Sequence, residues 1–389
     1  MRAAARLSRI PISFWAEVGQ AIATLRARGM DVIRLDVGDP DMPPREEIID
    51  TLSAAAHAPE SHRYPGGSGA MELRQAIAGY YARRFGVTLD PAREVLPLIG
   101  SKEGIAHVAL AFVDPGDLVL VPEPAYPTYR MGTYLAGGEV CVVPLLPEND
   151  YLPDLAAIPA EVARRAKILW LNYPHNPTGA VATPDLFAAA VEFARSYDLL
   201  ICHDAPYCDV YYDGYRPPSM LETPGARDVV LEFNSLSKTY NMAGWRVAMA
   251  VGSREAVAEL ARVKSNTDSG IFLPVQRAAI AALSGDQGWI EPRNAIYQAR
   301  RDLILAALRD AGLAARTPVA SLYIWAEVPA GYTSLTFTKG LLEAQGVSVS
   351  PGAMYGAGGE RHIRISVTAP TPRIEEAMRR LRAYCASIL

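Results

Sequence analysis

Short apolar runs alternate with Ala-rich segments of helical periodicity through the first two thirds of the chain. Intervening segments such as 103–112 and 184–195 repeat their apolar residues at helical spacing. Polar, glycine- or proline-rich residues directly follow five apolar runs, at 94–99, 117–121, 167–171, 199–202 and 229–233. Strands alternating with helices predict an α/β fold with a mostly parallel central sheet flanked by helices. Because ligands of such sheets bind at the carboxyl ends of the strands, we expect a site there.

The last third of the chain has a different pattern. A helical stretch over 273–311 precedes strand-like runs near 321–328, 347–349 and 362–367, and a helix over 371–387 closes the chain. This pattern predicts a smaller α+β domain. We expect the N-terminal segment, with a helix over 14–28, to join it. The predicted division is therefore an N-terminal arm and part of the small domain (1–44), a large domain (45–275) and a small C-terminal domain (276–389).

Composition narrows the class of ligand. The 389 residues are 50% hydrophobic and 21% charged, which is typical of a globular protein. The net charge of −4 and the lack of a basic run argue against a nucleic-acid or membrane partner. No apolar stretch approaches the roughly 18 residues of a membrane helix. We therefore expect a small-molecule ligand.

Cysteine usage indicates a reducing compartment and no metal site. Cys141, Cys202, Cys208 and Cys385 form no C-x-x-C pair. So few cysteines in a chain of this length favour free thiols. Residues 1–10 are rich in Arg and Ala, as in transit peptides, but Glu17 and a helical pattern follow at once. We therefore interpret the start as an N-terminal arm and expect a cytoplasmic protein.

Lys238 is the leading candidate for covalent chemistry. It lies among hydroxyl side chains directly after an apolar run, where desolvation would lower its pKa and suit it to imine formation. Arg246 follows eight positions later, and with Ser235 and Ser237 it forms a set suited to binding a phosphate group. Alone, Lys238 would more simply be a solvated surface lysine, so its neighbours carry the interpretation.

Two more strand ends carry polar residues suited to the same ligand. Ser101 and Lys102 open a predicted helix, whose free N–H groups and dipole favour a phosphate. Asp204 ends a buried run, where a carboxylate needs a cationic partner such as a protonated pyridine nitrogen. A strand-to-helix turn and a helix cap are the plainer alternatives for these segments.

The remaining candidates suit a planar ring and a carboxylate. Asn176 and Tyr207 are placed to hydrogen-bond a ring oxygen, and Tyr126 to stack on the ring. A tight turn and core packing are the plainer roles for Asn176 and Tyr126. Arg364 alternates with apolar residues in a strand-like run, so its side chain faces either solvent or a fixed anion.

Together these motifs resemble the class I/II aminotransferases of pyridoxal-phosphate (PLP) fold type I, the aspartate aminotransferase superfamily. The resemblance runs nearly end to end, from LDVGDP at 35–40 to HIRIS at 362–366. Its most specific part is SLSK at 235–238 with GWR at 244–246, in order after NPTG at 176–179 and Asp204-x-x-Tyr207. The segments KSNTDSG at 264–270 and SKTYNMAGWR at 237–246 resemble the branch that acts on LL-diaminopimelate. Branches acting on aspartate, alanine or aromatic amino acids share much of this pattern.

The resemblance implies a role for each candidate. Lys238 is similar to the Schiff-base lysine and proton shuttle, Asp204 to the partner of the pyridine nitrogen, and Tyr126 to the residue stacked on the ring. Asn176 and Tyr207 resemble the residues that bind the ring phenolate. The phosphate contacts implied are Ser101, Lys102, Ser235, Ser237 and Arg246, with Tyr64 reaching the phosphate of a neighbouring subunit in a homodimer. Substrate contacts are implied for Arg364, which would bind the α-carboxylate, and for Gly38 and Asn176 beside it.

The implied function is ping-pong transfer of an amino group from an L-amino acid, of LL-diaminopimelate or aspartate type, to a 2-oxo acid such as 2-oxoglutarate. The sequence does not place the second arginine that dicarboxylate-specific members use, although Arg262 and Arg277 lie near the KSNTDSG segment. A C–S lyase or other β-eliminating enzyme on the same fold is the alternative. A PLP-binding regulatory domain is more remote, because only about 40 residues precede the first shared motif, too few for a DNA-binding module.

Overall fold

A seven-stranded sheet forms the centre of the protein, in a computed structural model that describes residues 2–10 and 14–388. Its strands, in their order across the sheet, are β2 (Val95–Leu98), β8 (Ala248–Gly252), β7 (Val230–Ser235), β6 (Leu200–Asp204), β5 (Ala166–Leu171), β3 (Leu118–Glu123) and β4 (Glu139–Pro144). The five strands from β7 to β4 in that order run parallel. β8 is antiparallel to its neighbours β2 and β7.

Helices cover both faces of this sheet, because its inner strands are apolar on both sides. In β6, Ile201 packs in the core on one face and Cys202 in the core on the other. The helices of this part of the chain are α2 (Glu46–Ala56), α3 (Met71–Phe85), α4 (Ser101–Phe112), α5 (Thr128–Ala136), α6 (Ala160–Ala163), α7 (Pro184–Tyr197), α8 (Ala226–Val229), α9 (Leu236–Thr239), α10 (Arg254–Ser265) and α11 (Leu273–Ser284).

A second, smaller set of strands is built from the two ends of the chain. The antiparallel order is β11-β12-β9, and β1 pairs with β10 in parallel. Where one domain ends and the next begins stays a prediction. The elements are α1 (Phe14–Ala27), β1 (Ile33–Arg34), α12 (Ile290–Asp310), β9 (Tyr323–Glu327), α13 (Ser334–Gln345), β10 (Val347–Ser348), β11 (Ser350–Pro351), β12 (His362–Ser366) and α14 (Thr371–Ile388).

The structure confirms the α/β class and the mostly parallel sheet, and it corrects one predicted element. The helical stretch expected over 273–311 is helical but interrupted, because α11 ends at Ser284 and α12 begins at Ile290. Gly285 follows α11 in an extended conformation, and the side chain of Asp286 accepts a hydrogen bond from the Gly288 N–H at 2.9 Å. This local turn replaces helical hydrogen bonds. None of the helices described is both long and apolar enough to cross a membrane.

Candidate active site

The carboxyl ends of the parallel strands meet in one cleft of about 550 Å³. Five residues missing from the sequence prediction also line it: Arg34, Val37, Pro206, Ala243 and Tyr323. Tyr64 lies outside the cleft, with a side chain 89% exposed. Twelve of the thirteen predicted site residues line the cleft: Gly38, Ser101, Lys102, Tyr126, Asn176, Asp204, Tyr207, Ser235, Ser237, Lys238, Arg246 and Arg364.

Lys238 reaches the cleft from α9, the single helical turn that follows β7. Its Nζ donates a hydrogen bond to the carbonyl oxygen of Gly38. Burial lowers the pKa of Lys238, and the cations Arg364 and Arg246 lower it further. A side chain at Gly38 would overlap the Tyr323 ring, so the backbone can come this close only at a glycine. The amine is therefore held in place and is more easily deprotonated than a surface lysine.

Asp204 ends β6 as a buried carboxylate with one satisfied oxygen. Its Oδ2 accepts a hydrogen bond from the Tyr129 hydroxyl at 2.7 Å, whereas its Oδ1 is buried without a partner among the described residues. Burial raises the pKa of Asp204 to about 6, although the Tyr129 hydrogen bond opposes the rise. Asn172 fixes the backbone, because its Nδ2 donates to the Asp204 carbonyl at 2.5 Å. A buried, unpartnered carboxylate oxygen is suited to a cationic N–H donor from a ligand.

The first turn of α4 and Arg246 face each other in an anion-binding arrangement. Gly100 precedes the helix at φ +75°, and the N–H groups of Ser101 and Lys102 have no backbone acceptor among the described residues. A Cβ on Gly100 would overlap the Arg246 guanidinium. The Ser235 hydroxyl accepts a hydrogen bond from the Ser237 N–H at 3.2 Å, which fixes the turn into α9. A helix N-terminus with an arginine beside it is suited to a phosphate group.

Arg364 extends from β12 into the opposite wall of the cleft. It is 4% exposed, and it donates to Asn176 Oδ1 at 2.8 Å and to the Asp36 carbonyl at 2.6 Å. Its guanidinium carbon lies 3.9 Å from the centre of the Tyr323 ring. Its Nε is buried without an acceptor within the described ranges. No carboxylate in the described chain pairs with it, so a ligand carboxylate would complete its donors.

Two aromatic residues predicted from the sequence lie between these groups. The hydroxyl of Tyr207 lies 3.0 Å from that of Tyr323, and burial raises the pKa of Tyr207 above its ordinary value. Tyr126 packs edge-on against Tyr129, with ring centres 5.8 Å apart. Burial also raises the pKa of Tyr126, so both phenols stay protonated and can donate hydrogen bonds near neutral pH.

The charge of the cleft favours an anionic ligand. Among the residues that the structure describes, Asp204 is the one carboxylate lining it, against five cationic residues. Arg262 and Arg277 are exposed and do not line it. Arg34 is the additional arginine: its Nε and Nη2 donate to the two oxygens of Asp36 at 3.1 and 2.7 Å, and its side chain is 40% exposed. The five cations are Arg34, Lys102, Lys238, Arg246 and Arg364.

Sequence reasoning missed several supporting residues. Tyr129 had a usable signal, because it follows Tyr126 by three positions, in the same proline-rich segment after β3. Asn172 opens the same segment as Asn176, and its Oδ1 accepts the Asn176 N–H at 2.9 Å. Tyr323 had no local signal, because its partners come from distant parts of the chain.

Comparisons with known proteins agree with this geometry. A family model described as aminotransferase class I and II matches residues 30–381. An LL-diaminopimelate aminotransferase of Moorella thermoacetica is 52% identical over 388 residues, covering 100% of both chains. Substrate-bound BacF from Bacillus subtilis is 35% identical, with a TM-score of 0.94 over 98% of each chain. An aspartate aminotransferase of Thermus thermophilus is 29% identical, with a TM-score of 0.92 over 99% of this chain and 100% of its own. The chain therefore belongs to the class I and II aminotransferases, and it is a PLP-dependent transaminase of fold type I acting on an amino acid and a 2-oxo acid.

Proposed function

We propose that this enzyme transfers an amino group between LL-diaminopimelate and 2-oxoglutarate, with Lys238 as the lysine that carries PLP. The full-length 52% identity to an LL-diaminopimelate aminotransferase is the observation that carries the choice of substrate. The cleft supports it, because two arginines, Arg364 and Arg34, line one cavity. Both proposed substrates have two carboxylates.

Several features of this cleft match the groups of PLP. The unpartnered Oδ1 of Asp204 is suited to the pyridine N–H, and the turn at Gly100 with Arg246 to the phosphate. Asn176 and Tyr207 would bind the ring oxygen. When bound, PLP takes up the electron pair released as the substrate Cα–H bond breaks.

The protein side chains would then divide the work. Arg364 binds the α-carboxylate through its bidentate guanidinium and fixes the orientation of Cα. Lys238, with its pKa lowered by burial, accepts the proton from the substrate Cα. It donates that proton again in a later step of the same transfer. Asp204 holds the ring-nitrogen proton. Arg34 would bind the distal carboxylate, because Asp36 occupies only its Nε and Nη2, leaving Nη1 without an acceptor among the described residues.

A donor panel tests the substrate proposal. Initial rates with LL-diaminopimelate, glutamate, aspartate, alanine and phenylalanine should give the highest kcat/KM for LL-diaminopimelate. Arg34→Gln should raise KM about tenfold for donors with a distal carboxylate, which is the loss expected from one charge-assisted hydrogen bond. KM for alanine should not change. Arg28→Gln, an exposed arginine outside the cleft, is the matched control.

Because Arg34→Gln leaves the buried Asp36 carboxylate without its cation, the double variant R34Q/D36N should accompany it. It should show the same selective loss. An equal loss with alanine in both variants would refute the role of Arg34. A preference for phenylalanine would refute the proposal that LL-diaminopimelate is the amino donor. Release of pyruvate and ammonia without an acceptor would instead identify a β-eliminating activity.

We also propose a homodimer in which each copy completes the site of the other through Tyr64. The exposed position of Tyr64 supports this, because its side chain does not line the cleft of its own chain. Phe272 is 47% exposed nearby, with its ring 6.2 Å from that of His62. An exposed aromatic pair next to Tyr64 is suited to an interface.

Hybrid dimers test the shared site. A one-to-one mixture of Tyr64→Ala and Lys238→Ala copies should regain about a quarter of wild-type activity, because about half of the dimers are hybrids and one of the two sites in each hybrid combines Lys238 with an intact partner tyrosine. Recovery no greater than that of the Tyr64→Ala homodimer would show that Tyr64 acts only within its own chain. Light scattering would report the oligomeric state directly.

For the compartment, we propose the cytoplasm. The four cysteines are all free, and Cys202, Cys208 and Cys385 are buried. Free, buried thiols are typical of proteins kept in a reducing environment. Fractionation of cells producing the native protein would test this, and recovery outside the cytoplasmic fraction would contradict it.

A further inference from the structure

A buried arginine on α12 contacts the backbone of the lysine segment. Arg293 is 3% exposed, and its Nη1 donates to the carbonyl oxygens of Lys238, at 2.9 Å, and of Thr239. Its Nη2 donates to the Asp209 carbonyl at 2.6 Å and to Asn294 Oδ1 at 2.8 Å, and its Nε to the same Oδ1 at 3.3 Å. All five N–H donors of the guanidinium are therefore used.

The short helix α9 explains why such a contact is required. It has only four residues, so the carbonyl groups at its end lack the partners that a longer helix would provide. The carbonyls of Lys238 and Thr239 are two of these, and both accept hydrogen bonds from Arg293. Without that guanidinium, the turn that carries the Lys238 side chain would lose the hydrogen bonds that fix it.

Arg293 is not explained by an ion pair. No carboxylate within the described ranges lies in salt-bridge contact with it, because the Asp209 carboxylate is already bound by Arg84 at 2.9 Å and by the Tyr80 hydroxyl at 2.6 Å. Burial lowers the pKa of Arg293. A buried cation without a paired anion costs free energy, so the hydrogen bonds to the carbonyls of Lys238, Thr239 and Asp209 account for the presence of Arg293 here.

A second arginine, two helical turns further along α12, binds the chain segment that the lysine amine contacts. Arg300 is 5% exposed and binds both carboxylate oxygens of Asp41, at 2.8 and 3.0 Å. Asp41 lies three residues after Gly38, whose carbonyl accepts the Lys238 Nζ hydrogen bond. Arg300 also donates to the Val367 carbonyl at 3.3 Å, just beyond β12.

The two arginines lie on one face of α12. Seven residues span about two turns of an α-helix, so the side chains at 293 and 300 point the same way. Tyr297 lies between them, with its ring centre 5.9 Å from one guanidinium carbon and 5.7 Å from the other. A single rigid element therefore contacts both the backbone of Lys238 and the segment that receives its amine.

We propose that Arg293 and Arg300 are positioning residues that fix Lys238 in the cleft from two sides, through its backbone and through the Gly38 segment. This inference rests on the proposed role of Lys238 as the PLP-bearing lysine. Neither arginine lines the cleft, so each acts through Lys238 and not on the substrate. Misplacing a reacting amine by about 1 Å is enough to cost up to about a hundredfold in rate.

The test uses holoenzyme variants that keep the positive charge. Arg293→Lys retains a cation but cannot serve the same set of acceptors, and Arg300→Lys retains the ion pair with Asp41 but loses its bidentate geometry. Each should lower kcat by about tenfold or more, with KM for the amino donor changed less than about twofold. The midpoint of the pH titration of the cofactor's visible band should also shift, because that band reports the environment of the lysine nitrogen. Arg309→Gln, an exposed arginine on the same helix, should behave as wild type.

Thermal unfolding of each holoenzyme separates positioning from stability. A variant that melts earlier but keeps wild-type kcat and titration midpoint while folded would overturn the inference. If Arg293→Lys does not fold, Arg300→Lys alone decides, with the same readouts. Borohydride labelling of wild-type holoenzyme keeps the two proposals apart: a label away from Lys238 refutes the proposed function, whereas a label on Lys238 with unchanged variants refutes only the positioning role.

Discussion

Replacing Asp204 by Asn should remove a pH-dependent penalty from the stability of the cofactor-free protein. Burial raises the pKa of Asp204 from its ordinary 3.8 to about 6. The folded state therefore holds this proton more tightly than the unfolded chain. As pH rises from 3.8 through 6, ionisation of the buried carboxylate progressively destabilises the folded state relative to the unfolded one.

The size of the effect follows from those two pKa values. The full penalty above pH 7 is about 3 kcal/mol, at 1.36 kcal/mol per unit of pKa. The same relation gives about 1.6 kcal/mol at pH 5 and about 3.0 kcal/mol at pH 8. Between these two pH values, the free energy of unfolding of Asp204→Asn should rise by about 1.4 kcal/mol relative to wild type.

Urea unfolding of both cofactor-free proteins at pH 5 and pH 8, at one protein concentration, measures this double difference. It cancels any constant cost of the Asn amide in the buried site and any change in association. A difference that does not change with pH, or that changes in favour of wild type, would refute the account of Asp204 as an uncompensated carboxylate. Saturating PLP should reverse the advantage, because the pyridine N–H then pairs with the carboxylate. Asp204→Asn should also lose on the order of 10² in kcat.

Two further substitutions probe the phosphate and ring contacts. Gly100→Ala should weaken PLP binding about tenfold, about 1.4 kcal/mol, because its Cβ would displace the guanidinium beside the α4 turn. Gly86→Ala has a similar positive φ but open space around it, so it controls for backbone strain, and equal PLP affinity in the two variants would contradict the overlap. Tyr129→Phe removes the hydrogen bond that lowers the pKa of Asp204, so that pKa should rise and kcat fall about tenfold. Tyr134→Phe, on the same helix, is its control, and an unchanged pH profile in Tyr129→Phe would refute the link.

The predicted residues that the structure brings together in the cleft share a local signal. Lys238, Asp204 and the α4 turn each follow an apolar run, and parallel strands bring such ends together at one edge of a sheet. Their meeting in one cleft could therefore be inferred before any coordinates were known.

The residues that escaped prediction are defined by contacts between distant parts of the chain. Tyr323 meets Tyr207 across 116 positions, and Arg293 reaches Lys238 across 55. Arg34 has no neighbouring motif that marks it as part of a site. The break between α11 and α12 was also missed, because Ala-rich helical periodicity continues on both sides of a five-residue turn at 285–289.

Chemical labelling tests the central claim about Lys238 most directly. Wild-type protein loaded with PLP would be reduced with borohydride, digested, and analysed by mass spectrometry for the peptide that carries the added phosphopyridoxyl group. We expect a single modified lysine, Lys238, and no modification in the Lys238→Ala variant. A label on Lys102 or Lys264 in the wild type, or an undiminished label in Lys238→Ala, would contradict it.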